Sequence, residues 1–169
     1  MKRPIIITGF MGSGKTKVAS ELARRMNLVT VDLDNWIAER EGRSAAQIIV
    51  EDGERAFRAI ESNALRDVLQ TNAVDIIALG GGAWIEETNR QLIDQYGCTT
   101  VWLDAPFEMC WARIETSAEE RPLGKTREQS LALYERRRPI YSLAGIHIEI
   151  LDDNLDDLIS RILRTGLQD

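Results

Sequence analysis

The sequence predicts an α/β fold in three layers, with a five-stranded parallel sheet covered by helices on both faces. Short apolar, β-branched runs recur along the 169 residues, segments of helical periodicity alternate with them, and a glycine-rich loop joins the first run to the first helix. In such sheets ligands bind beyond the carboxyl ends of the strands, so the chemistry is expected just after each apolar run. Residues 1–169 are read as a single domain, because no linker, internal repeat or low-complexity segment divides them.

The first strand is read at Ile5 to Thr8 and the first helix at Lys15 to Met26, where Val18, Leu22 and Met26 recur at helical spacing. Between them Gly9-Phe10-Met11-Gly12-Ser13-Gly14-Lys15-Thr16 fits the pattern G-x-x-x-x-G-K-[ST] without substitution. Its glycines let the backbone turn so that amide N–H groups converge, and the helix that follows adds its positive end. That is a cradle for nucleotide phosphates. Lys15 supplies a point charge between the β- and γ-phosphates, and the Thr16 hydroxyl is a Mg²⁺ ligand.

The second strand, Leu28 to Leu33, ends in Asp32-Leu33-Asp34. Alternation along a strand puts both carboxylates on one side. Like charges so close need compensation, which Mg²⁺ near Thr16 offers Asp32 and a substrate hydroxyl offers Asp34. Helix capping by Asp34 is the other reading; it accounts for one aspartate and not for the pair.

Helical periodicity over Ser44 to Leu69 includes Asp52-Gly53-Glu54, Phe57-Arg58 and Glu61. Glu54 and Arg58 are four apart, which fits a helix-surface pair as well as a site. The third strand, Asp75 to Leu79, runs into Gly80-Gly81-Gly82, where bare N–H groups let a ligand approach the backbone. A helix over Glu86 to Tyr96, a strand over Thr99 to Leu103 and a helix over Phe107 to Glu115 follow. The polar stretch 114–125, with Arg121-Pro122-Leu123, reads as a lid; a plain solvated connection is the alternative. After a helix over Thr126 to Tyr134 comes Arg136-Arg137-Arg138 before Pro139. Helical residues turn about 100° each, so one of the three at most reaches a pocket. The last strand, Ile146 to Ile150, holds the single histidine, His147, read as structural, and a helix over Leu155 to Leu163 closes the chain.

A net charge of −6 argues against a nucleic-acid partner, yet 17 of the 21 basic residues are Arg. Arginine grips carboxylates and phosphates with a planar fork, so an acidic chain with a local Arg pocket suits small anions. No apolar run approaches the roughly 20 residues that span a bilayer, and Met1-Lys2-Arg3-Pro4 leads directly into the first strand without room for a signal peptide. A cytoplasmic monomer without a membrane partner is expected, with Cys98 and Cys110 reduced.

Taken together, these motifs resemble the shikimate kinase family, from Ile5 to about Ile150. The glycine loop, the Asp32-x-Asp34 pair, Gly53-Glu54 with Phe57-Arg58 and Glu61, the triple glycine, Arg121-Pro122-Leu123, and Arg137 ahead of Pro139-Ile140-Tyr141 stand in the family's order. The resemblance implies a three-layer α/β/α P-loop kinase fold, a lid and substrate-binding helices within about 33–61. It implies transfer of a phosphoryl group from ATP, with Mg²⁺, to the 3-hydroxyl of shikimate. Gly12, Ser13, Gly14, Lys15, Thr16 and Lys17 would hold nucleotide phosphates, with Thr16 and Asp32 on the metal side. Asp34 would accept from the attacking hydroxyl, and Arg58, Arg137, Gly81 and Gly82 would hold the substrate, with Glu61 orienting Arg58. Arg121 would reach the γ-phosphate from the lid, and Arg113 would stack on adenine. Lysines, arginines and a metal suffice for this chemistry, since positioning and charge neutralisation supply most of it.

Three stretches depart from the family pattern. Lys17 stands where a hydroxyl commonly meets the α-phosphate, Gly124 follows Arg-Pro-Leu, and Leu151-Asp152-Asp153-Asn154 lacks the Arg and Pro of the adenine side. ATP affinity is the property they bear on. Paired arginines equally suit a gluconate- or nucleoside-monophosphate-type kinase, whereas a non-catalytic nucleotide-binding module would lack Lys15, Asp34 or Arg121, all of which are present.

Overall fold

The computed structural model describes residues 3–117 and 125–167. Five strands, β1 (Ile5–Thr8), β2 (Thr30–Asp32), β3 (Ile76–Ala78), β4 (Thr99–Asp104) and β5 (Ile146–Glu149), form one parallel sheet in the order β2-β3-β1-β4-β5. All residues of β1 and β3 are buried, as expected of central strands covered on both faces. The chain moves from β1 outward to β2, returns through β3, and then crosses to β4 and β5. Strand order therefore reverses at β1, which places the mouth of the glycine loop at the switch point where ligands bind.

The helices are α1 (Lys15–Met26), α2 (Leu33–Glu41), α3 (Ala45–Asp52), α4 (Glu54–Thr71), α5 (Glu87–Gln95), α6 (Phe107–Thr116), α7 (Arg127–Tyr141) and α8 (Leu155–Arg164). Capping boxes start two of them, Ser44 with Gln47 before α3 and Thr126 with Gln129 before α7. No described helix is long and apolar enough to cross a membrane. Arg121 and the rest of 118–124, including Gly124, lie outside the described residues.

Three expectations are corrected. The second strand stops at Asp32, because its carboxylate Oδ1 accepts from the Asn35 N–H at 3.1 Å and caps α2. Asp32 and Asp34 are thus an N-cap and a first-turn residue, not alternate positions on a strand, and the cap is Asp32 rather than Asp34. The periodic segment 44–69 is two helices, broken at Gly53, whose φ of 92° and ψ of 159° are open essentially to glycine alone. Finally, α7 does not stop near Tyr134 but continues through Pro139 to Tyr141, which carries Arg137 on a helix.

Candidate active site

One cavity of about 920 Å³ opens above the carboxyl ends of β1, β2 and β3. The glycine loop forms one wall and α2, α3, α4, the glycine triplet and α7 form the rest. Of the residues singled out from sequence, Gly12, Gly14, Lys15, Thr16, Lys17, Asp32, Asp34, Arg58, Gly81, Gly82 and Arg137 all line it.

On the loop side, Gly12 has a φ of 77° and packs so close to α6 that a Cβ there would meet the Cys110 carbonyl oxygen at 2.6 Å. Only glycine fits. Lys15 Nζ donates to the carbonyls of Gly9 and Phe10, each at 2.9 Å, which holds its ammonium across the loop. Thr16 Oγ1 donates to Asp32 Oδ2 at 2.5 Å, joining the start of α1 to the start of α2. Lys17 is exposed at the rim. Ser13 is buried in the loop; its N–H donates to the Phe10 carbonyl at 3.1 Å, and its hydroxyl has no partner among the described residues. Arg113 stands behind the loop, with Nη1 donating to the Gly12 carbonyl at 2.9 Å and Nη2 pairing with Asp153.

The opposite wall is built around the glycine triplet, and each glycine admits a different side chain. A Cβ on Gly80 would lie 2.6 Å from Asp34 Oδ1, and one on Gly82 would overlap the Arg58 guanidinium. At Gly81 a Cβ would stand 3.6 Å from Arg137 Nη1 and 3.9 Å from the Tyr141 hydroxyl. The triplet therefore gathers one carboxylate and two guanidinium groups within three residues of backbone. The sequence predicts close approach by a ligand; at Gly80 and Gly82 the approaching groups belong to the protein itself.

Arg58 is held from below by Glu61, whose Oε2 accepts from Nη1 at 2.7 Å. Burial pushes the Glu61 carboxyl up to about 7, although the Arg58 guanidinium pulls it the other way. Its Oε1 has no partner among the described residues. Tyr141 has a place in the motif but no role that sequence reveals. Burial raises its hydroxyl to about 12, so it remains protonated and donates to the Gly81 carbonyl. Gly80 likewise has no role of its own in the sequence reading, though its place at the head of the triplet is the available signal.

Chemically, the cavity pairs a phosphate cradle with a wall suited to an anionic, hydroxylated acceptor. Thr16 and Asp32 offer hard oxygens at the junction. Among the described residues no group of three or more His, Cys, Asp and Glu side chains could hold a metal alone. That donor set fits Mg²⁺, which keeps several waters and takes one or two protein oxygens together with substrate phosphates.

A family model described as Shikimate kinase matches residues 11–165. The chain is 36% identical over 165 residues to a shikimate kinase of Cereibacter sphaeroides, covering 96% of this chain and 81% of the relative. It is 37% identical over 145 residues to a shikimate kinase of Aquifex aeolicus, covering 86% and 85%. Among solved structures it is similar to the shikimate kinase from Acinetobacter baumannii in complex with shikimate, with a TM-score of 0.89, 30% identity, and coverage of 98% of this chain and 93% of that one.

Proposed function

The chain belongs to the shikimate kinase family and is a kinase with ATP as co-substrate, and on that premise we propose that its acceptor is the 3-hydroxyl of shikimate. The products are 3-phosphoshikimate and ADP, on the route through chorismate to the aromatic amino acids. The observation that carries this reading is the convergence of Asp34, Arg58 and Arg137 on the glycine triplet, in the same cavity as Lys15 and Thr16.

The two guanidinium groups grip the acceptor's carboxylate, which fixes the ring and turns one hydroxyl toward Asp34. The Asp34 carboxylate accepts from that hydroxyl and takes its proton as the oxygen attacks. Backbone groups of Gly81 and Gly82 line the acceptor's other face. Across the cavity, Lys15 offsets charge on the transferring group, and the N–H groups of Gly12 and Gly14 face the phosphates. Lys17 meets the α-phosphate, Arg113 lies against adenine, and Arg121 completes the charge around the γ-phosphate. Ser13 serves the loop's shape, since its own polar groups turn inward. Thr16 and Asp32 would hold Mg²⁺, which when bound neutralises charge on the phosphates. Holding reactants in line and offsetting charge account for most of phosphoryl-transfer catalysis, which is why no covalent nucleophile is needed. The protein is read as a cytoplasmic monomer without nucleic-acid or membrane partners; its net charge of −6 supports the first of these exclusions.

The test is ADP release with ATP, Mg²⁺ and a panel of shikimate, gluconate and nucleoside monophosphates, with NMR of the product to locate the phosphate. Turnover with shikimate and phosphorylation at O3 is expected. Phosphorylation of gluconate or a nucleoside monophosphate without turnover of shikimate would overturn the reading.

A further inference from the structure

Helix α7 carries three successive arginines, and the acceptor site uses one of them. The next, Arg138, is fixed by Asp104, the last residue of β4. Its Nη2 donates to Oδ2 at 2.7 Å and its Nε to Oδ1 at 3.3 Å, so the fork meets both carboxylate oxygens. Asp104 is only 6% exposed, and a buried carboxylate left without such a partner is strongly destabilising. His147 Nε2 lies 2.8 Å from the same Oδ2, and its ring stacks on Trp102 at 4.3 Å. The Arg138 guanidinium also lies over Trp102, at 5.5 Å from the ring centre.

Pro139 explains why an anchor is needed here. Proline has no N–H, so the helical bond from residue 139 back to the Glu135 carbonyl is missing. That is the turn that carries Arg137. Side chains on either side of the gap hold the helix instead. The Tyr134 hydroxyl donates to the Ala105 carbonyl at 2.9 Å, Arg138 grips Asp104, and Tyr141 donates to the Gly81 carbonyl. These three are spaced i, i+4 and i+7 and share one face of α7. Arg137 stands about 100° around the axis from Arg138, so a rotation of α7 would sweep its guanidinium across the cavity.

We propose that Asp104 and Arg138 form a positioning clamp that sets the rotation of α7, and through it the placement of the Arg137 guanidinium against the acceptor. The clamp rests on the acceptor-gripping role of Arg137 given above. Neither clamp residue touches the substrate; both act through Arg137.

The test compares Arg138→Met, which keeps an apolar stem over Trp102, with Arg137→Ala and the double variant. KM for acceptor and for ATP is measured in each. Arg138→Met is expected to raise the acceptor KM about tenfold and to leave the ATP KM within about twofold. In the Arg137→Ala background it should change the acceptor KM by less than about twofold, because the residue it positions is gone. Asp104→Asn, checked for folding by circular dichroism, should reproduce the Arg138→Met pattern. An equal rise in both KM values, an unchanged acceptor KM, or a full independent effect on top of Arg137→Ala would each overturn the clamp. The measurements use whichever acceptor the substrate panel identifies, so rejection of shikimate would sink the substrate reading alone, while the KM split still decides the clamp.

Discussion

Arg58 and Glu61 face each other across 2.7 Å one turn apart on α4, and the carboxylate is the more deeply buried of the two. Burial wins over the neighbouring cation at Glu61, whose carboxyl is raised from 4.5 to about 7. The folded protein therefore binds this proton more tightly than the unfolded chain does. The associated stability is fully present below pH 4.5 and is lost as the pH rises through about 7.

A Glu61→Gln variant, neutral at every pH, should lack that slope. As the pH rises from about 5 to 8, wild type should lose stability relative to the variant by up to about 3 kcal/mol, since each tenfold gain in proton affinity on folding is worth about 1.4 kcal/mol. Urea unfolding of both proteins across this range checks it. A difference that does not change with pH would show that Glu61 titrates as an ordinary carboxylate.

Gly80 and Gly82 have no left-handed backbone to protect, so alanine there acts only through the space its Cβ takes. Gly80→Ala should displace the Asp34 carboxylate and lower kcat by about 100-fold, since a misplacement of about 1 Å costs that much. Gly82→Ala should displace Arg58 and raise the acceptor KM by about tenfold with a smaller change in kcat. Steady-state kinetics of the two variants separate the effects. The opposite assignment of kcat and KM would mean that the two side chains have exchanged roles.

The fold was legible because its signals are local and repeated. The apolar runs at Ile5 to Thr8 and Asp75 to Leu79 and the loop ending in Gly14-Lys15-Thr16 each needed only a few adjacent residues to be read, and they lie where expected. What was not legible depended on competition or on distance. Asp32 suited both a strand end and a helix cap, and its bond to the Asn35 N–H decided for the cap. The pattern through Gly53 stays periodic while the backbone breaks, because side-chain spacing carries no record of φ. The link from Gly80 to Asp34, and from Tyr141 to Gly81, joins residues far apart in the chain, so no window of sequence contains it.

Lys15 lines the cavity, and the Gly9 and Phe10 carbonyls hold its ammonium against the loop. Methionine has similar length and no charge, so Lys15→Met should retain the fold while turnover falls by at least about 1,000-fold. Circular dichroism and the ADP-release assay check both halves. Turnover within about tenfold of wild type would remove Lys15 from the catalytic machinery.

The arginine run offers an internal control for the acceptor site. Arg137 is buried against Gly81, whereas Arg136 is exposed on another face of α7. On the proposed role, Arg137→Ala removes a charge-assisted grip on the acceptor's carboxylate and should raise the acceptor KM by about 10- to 100-fold, in line with about 1.5–3 kcal/mol for such bonds. Arg136→Ala should stay within about twofold, as surface substitutions usually do. The two residues are adjacent on one turn of α7, so the pair compares the face toward Gly81 with the exposed face. If Arg136→Ala proved the more damaging, the acceptor would have to approach α7 from its exposed face, and the convergence on the glycine triplet would not be where substrate binds.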